Sequence, residues 1–119
     1  MDRADLRVSV AHDGGDTVVA LAGQLDLSTV GKLSETVHEV LTHKPSRIVV
    51  DLADLSFCDS LGLGTLVVLS RAARARSTYL TLRNPSAFFT RMLEVTGLHE
   101  GLSVSTAPDP SNGVRPEAR

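Results

Sequence analysis

The chain has little of several residue types that mark particular protein classes. It contains no tryptophan, and aromatic residues make up 3% of its 119 residues. Proteins that bind single-stranded nucleic acid stack the bases on exposed aromatic rings, so this composition argues against that function. The formal net charge of −2 gives no overall attraction to nucleic acid or to anionic lipid. We therefore expect neither a direct nucleic-acid partner nor a membrane partner.

Cysteine, long apolar runs and a secretion signal are also scarce or absent. Cys58 is the single cysteine, which excludes an internal disulfide and a cysteine-rich zinc site. The four histidines are scattered without metal-ligand spacing. No apolar run reaches the roughly 20 residues of a transmembrane helix, and the segment Met1 to Asp5 carries two aspartates instead of a basic region followed by an apolar core. These absences predict a cytoplasmic protein without a metal or another cofactor.

What is present is a regular alternation of strand and helix patterns. Leu6, Val8 and Val10 alternate with Arg7, Ser9 and Ala11, as in a strand. A β-branched and apolar run over Thr17–Leu21 follows the turn Asp13–Asp16, so the two runs predict a β-hairpin. The next predicted element is a helix with Ser28 or Thr29 as N-cap, and its apolar residues at helical spacing are Val30, Leu33, Val37, Val40 and Leu41. A buried strand over Arg47–Leu52, a helix over Ser60–Arg76 and a strand over Thr78–Leu82 follow. The last predicted elements are a helix with Asn84 as N-cap and Gly97 as C-cap, and a short strand over Leu102–Val104.

This order predicts an α/β fold, a single domain with a mixed β-sheet and helices packed on it. We expect the domain to span residues 1–106. The segment 107–119 is polar and rich in proline, so we expect it to be disordered. In the last helix, Phe88, Phe89, Met92 and Leu93 recur at helical spacing. They are expected to pack in the core, and a docking stripe for a partner is the alternative.

The stretch from Asp59 to Gly64 is the strongest candidate for a functional site. Ser60 follows a buried-strand pattern and precedes a helical one, so its hydroxyl lies near a helix N-terminus, where free N–H groups favour negative charge. A phosphate on Ser60 would find a receptive position there. Gly62 and Gly64 lower helix stability in the first turn and are best explained if a phosphate, a nucleotide or a partner approaches the backbone.

Three other interpretations apply to this stretch. A catalytic serine is disfavoured because the nucleophile elbow needs glycine two residues before the serine, where Cys58 stands. Ser60 and Asp59 alternatively do no more than cap the helix and support its dipole. Cys58 lies near the same helix start as a candidate redox thiol, but Asp59 opposes thiolate formation, so we expect a small buried apolar residue.

The residues of this stretch carry a family resemblance. The sequence DLADLSFCDSLGLG over Asp51–Gly64, preceded by GQLD over Gly23–Asp26, resembles the STAS-domain anti-sigma factor antagonists of bacteria. The resemblance covers about Val8 to Val104 in the order of elements. Two positions depart from the family pattern: Gln24 stands where the family usually has Glu, and Leu61 stands where it has Ser or Thr.

The resemblance implies a non-enzymatic switch in transcription control. In the family, the unmodified antagonist binds an anti-sigma factor, often a serine kinase, and so frees a sigma factor. The kinase phosphorylates the serine that matches Ser60, which ends the interaction, and a phosphatase restores it. The implied partner-binding residues are Asp26, Asp59, Ser60, Leu61, Gly62 and Gly64. The alternative is a STAS domain that senses a ligand or nucleotide, or serves as a scaffold in a signalling assembly.

Overall fold

A hairpin begins the fold. The structure is a computed structural model that describes residues 5–104 of the chain. The strands β1 (Leu6–Asp13) and β2 (Asp16–Leu25) pair antiparallel across a two-residue turn. Gly14 in this turn has φ +65°, a backbone conformation that glycine adopts without steric cost. The predicted hairpin is confirmed, and β2 continues four residues beyond the predicted run.

The rest of the described chain alternates helix and parallel strand. Its elements are α1 (Val30–Leu41), β3 (Arg47–Cys58), α2 (Ser60–Ala75), β4 (Tyr79–Arg83), α3 (Ala87–Thr96), a 3₁₀ turn (Leu98–Gly101) and β5 (Ser103–Val104). The strands form one sheet in the order β1-β2-β3-β4-β5, and every pair after the first is parallel. Parallel neighbours need a crossover connection, and each helix supplies one. The mixed sheet of the predicted α/β fold is confirmed.

The core lies between the helices and one face of the sheet. Ile48, Val50 and Leu52 alternate along β3 and are almost fully buried in one cluster with side chains from all three helices. The helical members of that cluster are Leu33, Val37, Val40, Leu41, Leu63, Leu66, Val67, Leu69, Ala73, Phe89 and Leu93. The helices therefore cover one face of the sheet, as the period of their apolar residues requires.

The length of β3 corrects the sequence prediction. The predicted strand ended at Leu52, whereas β3 runs on to Cys58. The register with β4 stops at Asp51, but pairing with β2 continues to Leu25 and Cys58 through two register shifts. Between residues 53 and 57, every side chain except the half-buried Leu55 is exposed, so the continuous apolar pattern that signals a buried strand is missing there.

One helix cap differs from the prediction in position, and another is confirmed in position but lacks the side-chain bond. Ser86, and not Asn84, is the N-cap of α3, since its hydroxyl accepts a hydrogen bond from the Phe89 N–H at 3.0 Å. Asn84 has φ +60°, and its side-chain amide donates to Asp51. Thr29 holds the N-cap position of α1, but its hydroxyl donates to the Gln24 carbonyl and makes no cap bond. Gly97 ends α3 in the left-handed conformation, as predicted.

A polar cluster fixes the point where β4 ends beside β3. Asp51 accepts hydrogen bonds from the Ala53 N–H, from the Arg83 guanidinium at 3.1 Å and from the Asn84 amide at 3.1 Å. Burial opposes ionisation of Asp51, but these donors outweigh it and hold its pKa below the ordinary value. The cluster ties β3 to the chain that leads into α3.

The predicted disordered segment 107–119 and the predicted domain limit at residue 106 lie outside the described residues. Within residues 5–104, no helix combines the length and apolar character needed to cross a membrane.

Candidate functional site

Ser60 is the first residue of α2, and its side chain is exposed. Asp59 is the N-cap: its Oδ1 accepts a hydrogen bond from the Gly62 N–H at 2.7 Å. The predicted placement of Ser60 at a helix start is therefore confirmed, and the cap belongs to Asp59. Because Asp59 caps the helix, the Ser60 hydroxyl makes no cap bond, and within residues 5–104 it has no hydrogen-bond partner. It is available to another molecule.

The two glycines of the first turn have different surroundings. A Cβ on Gly62 would lie 2.8 Å from the Leu25 carbonyl oxygen and 3.0 Å from Cys58 Sγ, whereas a Cβ on Gly64 meets nothing within 4 Å. Packing inside the domain is thus a sufficient reason for glycine at position 62, without an outside partner. Gly64 faces open space, so its backbone is accessible to a ligand or a partner.

Cys58 packs beneath this helix start. Its side chain is buried, and burial together with the nearby Asp59 carboxylate raises the pKa of the thiol to about 12. A thiol that stays protonated at neutral pH is a poor nucleophile. The expected role of Cys58 as a small buried apolar residue agrees with this environment.

The end of β2 brings a second acidic residue beside Ser60. The Asp59 N–H donates to the Leu25 carbonyl at 3.1 Å, which places the loop after β2 next to the start of α2. In that loop, Asp26 Oδ1 accepts from the Ser28 hydroxyl at 2.8 Å and from the Ser28 N–H at 3.0 Å. The bond from the Ser28 hydroxyl has the largest effect, and together these bonds lower the pKa of Asp26. Asp26 and Asp59 therefore place two carboxylates at the end of the sheet where β2 and β3 stop.

Exposed apolar side chains occur at this end of the domain. Leu27 and Leu61, one in each of the two neighbouring segments, are 75% and 44% exposed. Phe57 (41% exposed) stacks on Phe88 (57% exposed), with ring centroids 6.5 Å apart. Phe88 was expected in the core, and the structure corrects this, since Phe89 and Leu93 fill that place. Exposed aromatic and aliphatic groups beside polar ones are typical of protein-binding surfaces.

Sequence reasoning missed Phe57 as a surface residue. It stands in the unpredicted extension of β3, one position before the buried Cys58. The strict alternation of sides along a strand was the available signal, because a buried Cys58 puts Phe57 on the other face.

Comparison with known proteins places the chain in a family. The family described as "Mlab, STAS domain" matches residues 8–105. The chain belongs to the STAS domain family. The anti-sigma-F factor antagonist RsfB of Mycobacterium tuberculosis is 30% identical over 111 residues, which cover 92% of this chain and 90% of RsfB. The sequence-based resemblance to the anti-sigma factor antagonists is thereby confirmed.

Solved structures of STAS domains share the fold. An anti-sigma factor antagonist from Mycobacterium paratuberculosis superposes with a TM-score of 0.77 at 21% identity, covering 90% of this chain and 91% of that one. The anti-sigma factor antagonist SpoIIAA in its unphosphorylated form gives a TM-score of 0.70 at 22% identity, covering 92% of this chain and 99% of its own. Its phosphorylated Bacillus form gives 0.65 at the same identity, covering 92% and 100%.

Proposed function

We propose that this protein is an anti-sigma factor antagonist without catalytic activity of its own. In the unmodified state it binds an anti-sigma factor through the surface around Ser60, and phosphorylation of Ser60 ends that binding. The kinase is the anti-sigma factor itself, a phosphatase removes the phosphate, and all of them act in the cytoplasm. The interface residues are Asp26, Asp59, Ser60, Leu61, Gly62 and Gly64.

The observation that carries this proposal is the exposed hydroxyl at the start of α2 in a chain 30% identical to an anti-sigma-F factor antagonist. A kinase needs an accessible hydroxyl, and Ser60 is exposed while its neighbour Asp59 caps the helix. SpoIIAA, which shares this fold, occurs in phosphorylated and unphosphorylated forms. The chain therefore has a suitable acceptor at a suitable place.

The surroundings of Ser60 explain how a phosphate would end binding. The group adds a charge of roughly −1.5 to −2 at neutral pH. In the free domain, the N–H groups at the start of α2 and the helix dipole accommodate this charge. In a complex, the same charge beside Asp59, pressed against the apolar groups of a partner, meets repulsion and a desolvation cost. The modification therefore acts on the complex and leaves the fold intact.

Gly62 contributes to the interface indirectly. Its packing against Leu25 and Cys58 brings the start of α2 close to the end of β2, so the exposed Leu61 and Leu27 belong to neighbouring segments. Gly64 leaves its part of the first turn uncovered. A partner can thus contact both segments together.

The test begins with incubation of the protein with a candidate anti-sigma kinase and ATP. Mass spectrometry should find one phosphate, on Ser60. Ser60→Ala should accept none, whereas Ser46→Ala, which removes an exposed hydroxyl just before β3, at the opposite end of that strand from Ser60, should be modified like the wild type. Phosphate on another residue, or none on wild type, would contradict the proposed acceptor.

Binding of the partner is measured separately by calorimetry. We expect phosphorylated Ser60 to weaken the complex by at least about a hundredfold, since a like-charge contact at an interface costs several kcal/mol. Asp59→Asn keeps a cap but removes its charge, so a change in affinity for the unmodified protein isolates the contribution of that carboxylate. Equal affinity of the phosphorylated and unmodified forms for the anti-sigma factor would contradict the proposed switch. Tight nucleotide binding by this chain alone would favour the ligand-sensing alternative.

A further inference from the structure

The outer edge of β1 is an open strand edge. Within residues 5–104, β1 pairs with β2 only, and its opposite side faces no strand. The unpaired N–H and C=O groups of such an edge are a template for another strand. We propose that a second copy of this chain occupies this edge, and that the two β1 strands pair antiparallel about Val10 to join the two sheets.

The hydrogen bonds of the hairpin determine which groups of β1 point outward. The Gln24 N–H donates to the Asp5 carbonyl at 2.9 Å, so the odd-numbered residues of this segment bond toward β2. In an antiparallel pair, bonded and non-bonded positions alternate along the strand. The backbone N–H and C=O groups of the even-numbered residues therefore point away from β2. The Leu6 carbonyl agrees with this, since it accepts a hydrogen bond from Lys32 Nζ on α1 at 2.6 Å. The outward positions of β1 are Leu6, Val8, Val10 and His12.

Lys32 leaves one register open for a second strand. It occupies the Leu6 carbonyl, so Val8, Val10 and His12 remain as the free outward positions. Pairing all three with the same three residues of a second copy places Val10 opposite its own counterpart and Val8 opposite His12. Each of these pairs exchanges two backbone hydrogen bonds in an antiparallel ladder.

The side chains favour the same register. It puts Arg7 opposite Asp13 of the second copy on one face of the joined sheet, and the symmetry of the pair makes this contact twice. Both side chains are exposed in the domain, and opposite charges across a strand pair are favourable. A shift of two residues toward Leu6 would instead set Asp5 opposite Asp13 and displace Lys32. Backbone and charge thus select one arrangement.

An apolar contact lies at the centre of this arrangement. Val10 is 43% exposed in the domain, at the rim of a groove between β1 and α1. In the pair, the two Val10 side chains lie on the helix-covered side of the joined sheet and shield each other from water. Two strands of eight residues bury less than the roughly 1,600 Å² of a standard stable interface. We therefore expect an equilibrium between monomer and dimer that depends on concentration.

Sedimentation velocity from about 10 to about 500 µM tests the proposal, because mass action shifts a weak dimer over such a range. The sedimentation coefficient of the full chain should rise with concentration. Arg7→Asp and Asp13→Arg, each alone, should weaken the dimer at least about tenfold by placing like charges opposite each other. The double variant Arg7→Asp, Asp13→Arg restores the opposite charges and should return the dissociation constant to within about threefold of wild type.

Val10→Pro tests the backbone pairing. Proline is tolerated on an edge strand where the lost N–H faces outward, so circular dichroism should show an intact fold while the dimer disappears. Amide hydrogen exchange of the wild type gives a readout without any substitution: the amides of Val8, Val10 and His12 should become more protected as concentration rises. A chain that stays monomeric at every concentration overturns the proposal. A dimer that survives Val10→Pro and both single charge reversals, without protection of these amides, overturns it as well.

Discussion

The two halves of β3 differ although they form one continuous strand. The first half, up to Asp51, lies between β2 and β4, and its Ile48 and Val50 are fully buried. The second half, up to Cys58, pairs with β2 alone among the described strands and exposes Phe57. The first half holds the sheet together, whereas the second carries the chain to Ser60 along an irregular register. Shifts in register are typical of strands that lead to functional sites.

The difference shows how one strand separates stability from recognition. The first half buries three consecutive side chains, Ile48–Val50, which determine the fold, whereas the second half exposes four of its seven side chains, Phe57 among them, to solvent. Substitutions in the two halves should therefore have different effects. The following experiments measure that difference, beginning with the largest expected effect.

Ile48→Ala should destabilise the domain by about 2–5 kcal/mol, because it leaves a cavity in a fully buried position. Phe57→Ala in the second half should cost less than about 1.5 kcal/mol, the worth of one exposed aromatic contact with Phe88. Urea unfolding followed by circular dichroism gives both values. Equal losses for the two variants would show that the second half of β3 is as structural as the first.

Gly62→Ala should destabilise by about 1–3 kcal/mol, since the added methyl group meets the Leu25 carbonyl and Cys58 at the end of β3. The matched control is Gly64→Ala, which should stabilise α2 by up to about 1 kcal/mol because nothing obstructs its Cβ. Thermal unfolding of the two variants measures the contrast. A stabilising Gly62→Ala would mean that the start of α2 moves freely against the end of β3.

Asp51→Asn at the boundary between the halves should cost about 1–2 kcal/mol at pH 7, because the ion pair with Arg83 is lost and the amide has one acceptor oxygen where the carboxylate has two. The folded-state pKa of Asp51 is lowered, so its ionised carboxylate stabilises the fold above the unfolded value of about 3.9. That contribution is lost as the pH falls below this value through the lowered folded pKa.

The difference in unfolding free energy between wild type and Asp51→Asn should accordingly shrink in acid. Urea titrations between pH 7 and about pH 2.5 measure it, in a range where the unfolded carboxyl becomes protonated. A difference that stays constant with pH would show that the charge of Asp51 adds nothing to the link between β3 and β4.

Asp59→Ala, just beyond β3, should cost about 1 kcal/mol through loss of the helix cap. Asp59→Asn should lose less than half of that, because asparagine also accepts the Gly62 N–H. Denaturant midpoints with an unchanged slope provide the comparison. A loss with Asn as large as that with Ala would assign the stabilisation to charge at the helix dipole instead of to the cap.

The same contrast explains which features the sequence could predict. Apolar periodicity located the helices and the buried half of β3, because burial on one face leaves a regular pattern. The exposed half of β3 carries no such pattern, so the exposure of Phe57 was not predicted. Asn84 and Ser86 both suit an N-cap, and only the left-handed turn at Asn84, bonded to Asp51, decides in favour of Ser86.

The position of the candidate site was predictable from the sequence, but the reason for one of its residues, Gly62, was not. Ser60 at the start of α2 followed from the change of pattern, since helix starts leave local signals. The need for Gly62 depends on Leu25, which is distant in sequence and adjacent only through the parallel pairing of β2 and β3. Packing between distant segments of this kind is not encoded in any local pattern.

The exposure of Leu61 has an evolutionary consequence. Its side chain stands outside the core at the position where this chain departs from the usual hydroxyl residue, and the rigid packing beneath it rests on Gly62. A lineage can therefore exchange residue 61 with little penalty to folding, so the codon for this residue can drift while that for Gly62 beside it stays fixed.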